Sequence, residues 1–232
     1  MAILHEATKE VICKIVYHGA GKCGKTTSLM YMNHHLPPAQ RGRFVSLETP
    51  TERTLFFDCL PVLARAGAYT FRFLLFGTPG QEYYDASRKL VLKGADAVVF
   101  VVDSQRERAQ DNWQAYDLMT QNLKDLGQRA DALPMVFQYN KRDLPNVMPV
   151  DDADRRYNVR RLPAFPAVAR TGEGVYETFL MGARMTLRRR ASAGSEAALG
   201  PLFKSLVITE EDAAKLGAQL EKLNLEAGLA GS

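Results

Sequence analysis

The sequence predicts an α/β protein, a mostly parallel six-stranded sheet with helices on both faces. Three observations carry that expectation. Short β-branched and aromatic runs alternate with stretches of helical character from residue 11 to residue 189. The first run passes directly into a glycine-rich loop, residues 19–26, placed where a strand turns into a helix. Residues 97–102 are apolar throughout and rich in valine, as a strand covered on both faces should be.

The elements follow in order. Residues 11–18 form the first strand, and residues 26–36 a helix stopped by Pro37 and Pro38, which cannot continue it. Residues 53–58 and 69–76 read as strands, with Pro61 and Gly67 in a hairpin-like connection between them. Residues 82–93 are helical and end at Gly94, a left-handed cap. After the strand at 97–102, residues 106–126 make a long helix that stops at Gly127. Trp113, Tyr116, Leu118, Met119 and Leu123 are its candidate core contacts. Residues 135–139 and 165–168 are short buried strands, and residues 175–189 close the body as a last helix. In such sheets ligands sit at the carboxyl ends of the strands, and every motif discussed below falls at one.

The chain of 232 residues, 46% apolar and 24% charged, suits one globular domain with a sizeable core plus an appendage. We place the domain at 1–190, a polar small-residue linker at 191–208 and an amphipathic acidic helix at 209–232. Thr209 and Asp212 open that helix as a cap, and Ala213, Leu216, Leu220, Leu223 and Ala227 form its apolar stripe. A stripe this short needs something to pack on, either the body of its own chain or a partner. The net charge of +4 is uneven: residues 205–232 sum to −3, which leaves +7 on the remainder. A bound polyphosphate and a solvated surface explain that basicity equally well, so no nucleic acid is implied. Cys13, Cys23 and Cys59 are isolated, which excludes a disulfide framework or zinc pattern and suits a reducing cytoplasm. The first ten residues contain no apolar signal core, and the longest apolar run is too short to span a bilayer, so no membrane insertion is expected.

Two motifs carry the chemistry. Residues 19–26 read G-A-G-K-C-G-K-T, a complete phosphate loop. Gly19, Gly21 and Gly24 allow close backbone approach, and the amides around Lys22, Cys23 and Thr27 form an anion nest at a helix start. Lys25 reaches the β- and γ-phosphates, and the Thr26 hydroxyl ligates Mg²⁺. Cys23 is either redox-sensitive or simply a small packed residue. The second motif, Asn140, Lys141, Arg142 and Asp143, follows an apolar strand. The Asp143 carboxylate can accept two hydrogen bonds from the N1–H and exocyclic amine of guanine, an edge on which adenine offers no such pair. Asn140 braces the loop and the Lys141 stem covers the ring. His34 and His35 lack metal-binding companions and read as surface residues. Arg155, Arg156, Arg160 and Arg161 read as a solvated helix face rather than a patch for acidic partners.

With residues 53–54, 77–81 and 168–170 added in the same order, the chain resembles a Ras-type P-loop small GTPase. More narrowly it resembles the bacterial MglA group of polarity and gliding-motility GTPases, on the strings at 14–17, 52–58, 86–90 and 140–145. The resemblance covers residues 10–190 and stops before the tail. It implies GTP and GDP as ligands with Mg²⁺, a Roadblock-type MglB-like activating protein, polar or cytoskeletal effectors, and a cytoplasmic protein recruited to the cell pole. Thr54 resembles the threonine that completes the Mg²⁺ shell, Gln81 the glutamine that orients the attacking water, and Arg53 an intrinsic arginine finger. Arg53 also reads as a surface arginine on an edge strand. Gly80 belongs to the loop held by the γ-phosphate, while Val168, Ala169 and Arg170 flank the base, with the Ala169 N–H reading guanine. One departure matters: Gly77 stands where most Ras-like proteins carry an aspartate behind Mg²⁺. That implies a weakened metal shell and slow intrinsic turnover. Two readings result, a GTP-hydrolysing switch and a GTP-locked scaffold without useful turnover; Arg53, Thr54 and Gln81 together favour the switch.

Overall fold

All seven residues of the strand Ala97–Asp103 are buried. Ala97, Val99 and Val101 face one apolar cluster, while Val98, Phe100 and Val102 face another. Alternate side chains of a strand leave opposite faces, so this one pleat divides two cores. The computed structural model describes residues 3–5, 9–47, 57–66, 69–80 and 85–190. Its strands in chain order are β1 (Ile3–His5), β2 (Glu10–His18), β3 (Val45–Leu47), β4 (Phe57–Ala66), β5 (Tyr69–Gly77), β6 (Ala97–Asp103), β7 (Met135–Asn140) and β8 (Ala164–Pro166). The helices are α1 (Lys25–His35), α2 (Asp85–Leu92), α3 (Ala109–Asp125), α4 (Val150–Tyr157) and α5 (Val175–Arg190).

The strands form one sheet in the order β3-β4-β5-β2-β6-β7-β8, with β1 antiparallel to β2. From β5 to β8 along that order every pairing is parallel, and β3 and β4 pair antiparallel. On one margin of β2, β1 pairs with residues 10–12 and β6 with residues 15–18. The predicted class holds, and the strand count is eight rather than six. Both additions, β1 and β3, have three residues each, too few for a period of two to stand out.

The strand expected at 53–58 is corrected as well. Residues 53–56 lie outside the described residues, and β4 runs from Phe57 through Pro61, a residue the sequence places in a connection. Pro61 pairs opposite Leu74, and its carbonyl accepts the Gly42 N–H at 2.8 Å. The N and O of one strand residue point the same way, so its absent N–H falls on the outer margin, past the residues that β3 pairs.

Helices α1 and α5 cover one face through Leu29, Met32, Phe179 and Ala183. On the other face α2, α3 and α4 contribute Leu92, Met119, Leu123 and Tyr157. Trp113, expected in the core, is 44% exposed and stacks on Tyr116 at the solvent side of α3. Leu118 is half-buried. Gly94 and Gly127 both adopt left-handed conformations, φ 72° and 69°, as the cap assignments require. At Gly127 the Gln128 N–H reaches the Leu123 carbonyl and the Gly127 N–H the Lys124 carbonyl, the paired bonds of a Schellman end. Of α4 the sequence suggests only the solvated face with Arg155 and Arg156, because only Ala153 and Tyr157 of its residues are buried; Arg160 and Arg161, expected on the same face, lie past its end, Arg161 with φ 51°. The linker and helix expected over 191–232 lie outside the described residues.

Candidate nucleotide site

The phosphate loop spans the gap between the end of β2 and the start of α1. Gly24 caps α1 with φ 108° and no side-chain bond, and no acidic residue occupies the first turn. The first-turn amides are therefore presented to an anion with the helix dipole behind them. Glycine is required at position 24 twice over, since a β-carbon there would lie 2.1 Å from Asn140 Nδ2. The buried Lys25 ammonium donates to the Gly19 and Ala20 carbonyls at 2.8 and 2.7 Å, which holds it inside the loop. Thr26 and Thr27 are exposed at the mouth. Cys23 is fully buried, its sulfur 3.6 Å from Lys25 Nζ, the setting of a packed small residue.

The base loop is tied to the phosphate loop by one side chain. Asn140 donates to the Cys23 carbonyl at 2.7 Å and accepts the Ala169 N–H at 2.9 Å. The amide expected to read guanine thus already has a protein acceptor, and a base oxygen would have to share it. Lys141 adopts φ 65° and pairs with the buried Asp103 at 2.6 Å, which fixes its stem beside the loop. Asp103 is itself held by Asn112, whose amide oxygen and nitrogen bond its main chain at 3.0 and 2.8 Å. The Asp143 carboxylate remains solvent-accessible, 3.9 Å from Arg170. Val168 bridges to Glu173, closing the turn that carries Ala169 and Arg170.

On the γ-phosphate side, Gly80 packs backbone to backbone on the phosphate loop: its β-carbon would lie 2.7 Å from Gly21 Cα. Arg53, Thr54 and Gln81 lie outside the described residues. Sequence reasoning missed three groups at this end. Arg108 donates to the Gly21 carbonyl at 2.8 Å. His18 is buried, its Nδ1 3.1 Å from the Thr78 hydroxyl and its Nε2 3.2 Å from the Ala115 carbonyl. A carbonyl only accepts, so Nε2 carries the proton. Burial, then the nearby Lys25 charge, depresses the imidazole to about 3. The third group is Asp58, whose Oδ2 accepts the Thr26 hydroxyl at 2.5 Å. None of the three follows from a local string, because each acts across a large sequence separation.

The donors fit Mg²⁺. With its proton given to Asp58, the Thr26 oxygen keeps lone pairs for a hard cation. Among the described residues no group of three or more His, Cys, Asp or Glu forms a metal cage. Mg²⁺ bound through one protein oxygen, phosphates and water needs none.

A phosphate loop and a base loop fused through Asn140 at the carboxyl ends of parallel strands define a P-loop nucleotide-binding protein. The Ras family model matches residues 14–188, and the chain belongs to that family of GTPases. Mutual gliding-motility protein MglA of Myxococcus xanthus (strain DK1622) is 44% identical over 195 residues, spanning 84% of this chain and 100% of that protein. The similarity places the chain in the MglA group.

Proposed function

We propose that this chain is a GTP-driven switch for cell polarity and motility, with Mg²⁺-dependent hydrolysis stimulated by a Roadblock-type, MglB-like partner. The observation that supports it is the Asn140 bridge, which makes one rigid receptor of the phosphate loop and the base loop. The motility assignment draws on the similarity to the Myxococcus xanthus gliding-motility protein. In this reading the protein works in the cytoplasm and is recruited to the cell pole, where it engages polar or cytoskeletal effectors.

Lys25 would exchange its carbonyl acceptors for the β- and γ-phosphates. Asp143 would accept the two guanine donors. Thr26 would hold the metal, joined by Thr54 when the γ-phosphate is present. Mg²⁺ held at Thr26 and Thr54 would supply positive charge against the negative charge that develops on the transferring group. Gln81 would orient the attacking water, and Arg53 would meet the charge on the transferring group, an effect worth about 10³–10⁵ in rate. The missing carboxylate at Gly77 supports a slow intrinsic rate that a partner must raise.

Phosphate release from GTP, measured with and without the partner, tests this. We expect slow release alone and faster release with the partner, and loss of both in Gln81→Leu with nucleotide affinity kept. Gly77 also favours a second reading, a GTP-locked scaffold. Bound GTP with no phosphate released under either condition would establish that scaffold in place of the switch.

A further inference from the structure

Asp58 pairs directly across the β4–β5 ladder from Gly77. A β-carbon at Gly77 would come 3.2 Å from Asp58 Oδ2 and 3.4 Å from its Cβ. The Asp58 carboxylate therefore fills the space that a side chain at position 77 would enter. From that place Oδ2 accepts the Thr26 hydroxyl at 2.5 Å and Oδ1 accepts the Ser46 hydroxyl at 2.7 Å. Asp58 is 9% exposed, and among the described residues no lysine or arginine pairs with it. Two hydroxyls satisfy its oxygens without balancing its charge, which a buried carboxylate requires.

A nearby cation supplies that balance. A threonine oxygen that faces a metal must send its proton elsewhere, and a carboxylate that takes this proton fixes the lone pair and adds negative charge in the outer shell. We propose that Asp58 is the outer-shell carboxylate of the Mg²⁺ site, supplied by β4 across the ladder in place of a residue at position 77. The proposal rests on the reading that Mg²⁺ joins the nucleotide at Thr26. It makes Asp58 a positioning residue that acts through Thr26, and it accounts for glycine at 77: a β-carbon there would press on the carboxylate from 3.2 Å.

The test is release of fluorescent GDP from the full chain as a function of free Mg²⁺. Asp58→Asn should raise the Mg²⁺ concentration that half-protects the complex by about 10–100-fold, while release in excess EDTA stays as in wild type. Asp58→Ala combined with Gly77→Asp should restore most of the protection. An unchanged midpoint in Asp58→Asn overturns the proposal. Faster release to the same degree with and without Mg²⁺ also overturns it, because that marks a purely structural role. Wild-type release indifferent to Mg²⁺ would remove the metal reading itself before any variant is compared. Should Asp58→Asn fail to fold, Asp58→Ala with and without Gly77→Asp carries the test: a midpoint raised in the single variant and restored in the double supports the proposal, and equal midpoints overturn it.

Discussion

A single amide group at Asn140 joins two loops 117 residues apart in the chain, through Cys23 and the neighbouring Ala169. Asn140→Ala removes two bonds and leaves a buried N–H and a buried carbonyl unpaired. That loss amounts to about 2–4 kcal/mol, on the order of 100-fold in nucleotide affinity. Titration with fluorescent GDP measures it, and a variant that binds as tightly as wild type would deny the bridge its part. The residues of this receptor were legible because they stand in contiguous strings: residues 19–26 and 140–143 each announce their chemistry within a few positions. Asp58, Arg108 and His18 have no such signature. Asp58 and Arg108 reach the site from other elements, while His18 adjoins the phosphate loop in the chain but finds its partners, Thr78 and Ala115, far along it.

The end of α3 shows what local signals can carry at the scale of an element. Gly127 has φ 69°, and a β-carbon there would meet nothing within 4 Å. Any cost of substitution is therefore backbone strain alone. Gly127→Ala should lower stability by about 1–2 kcal/mol, and Gly127→Asn by less, as chemical denaturation midpoints would show. Equal stability of all three would mean that the helix end relaxes freely. Glycine caps, proline stops and the apolar run at 97–102 of β6 were legible because each depends on neighbours in sequence. Three-residue strands and a helix with two buried residues leave too little pattern to find. Pro61 misled for a physical reason: only the short segment at residues 41–42 lies opposite it, and there the Pro61 carbonyl still accepts the Gly42 N–H, so the strand forgoes a single ladder bond.

For the whole molecule, His18 sets a dependence on acid. Folded, it is held near 3; unfolded, it titrates near its ordinary 6.5. Between those values the unfolded chain binds one more proton, so stability falls as pH drops below about 6.5 and is unaffected by this group above it. The contribution approaches about 1.4 kcal/mol per pH unit inside that window. Denaturation of His18→Gln at successive pH values from about 7 downward should show a slope shallower by one proton; an unaltered slope would show that His18 charges in the folded state. The sheet's two outer rims carry a different lesson. At the β8 rim the pleat turns Ala164 and Pro166 outward, and Pro166 has no N–H to offer. Toward the other rim, residues 41–42 lie along β4 past β3, where Gly42 bonds the Pro61 carbonyl and Arg41 bridges Val62. A stray strand from a second molecule would find too few consecutive groups to zip along, so the protein can be crowded without its sheets growing into one another.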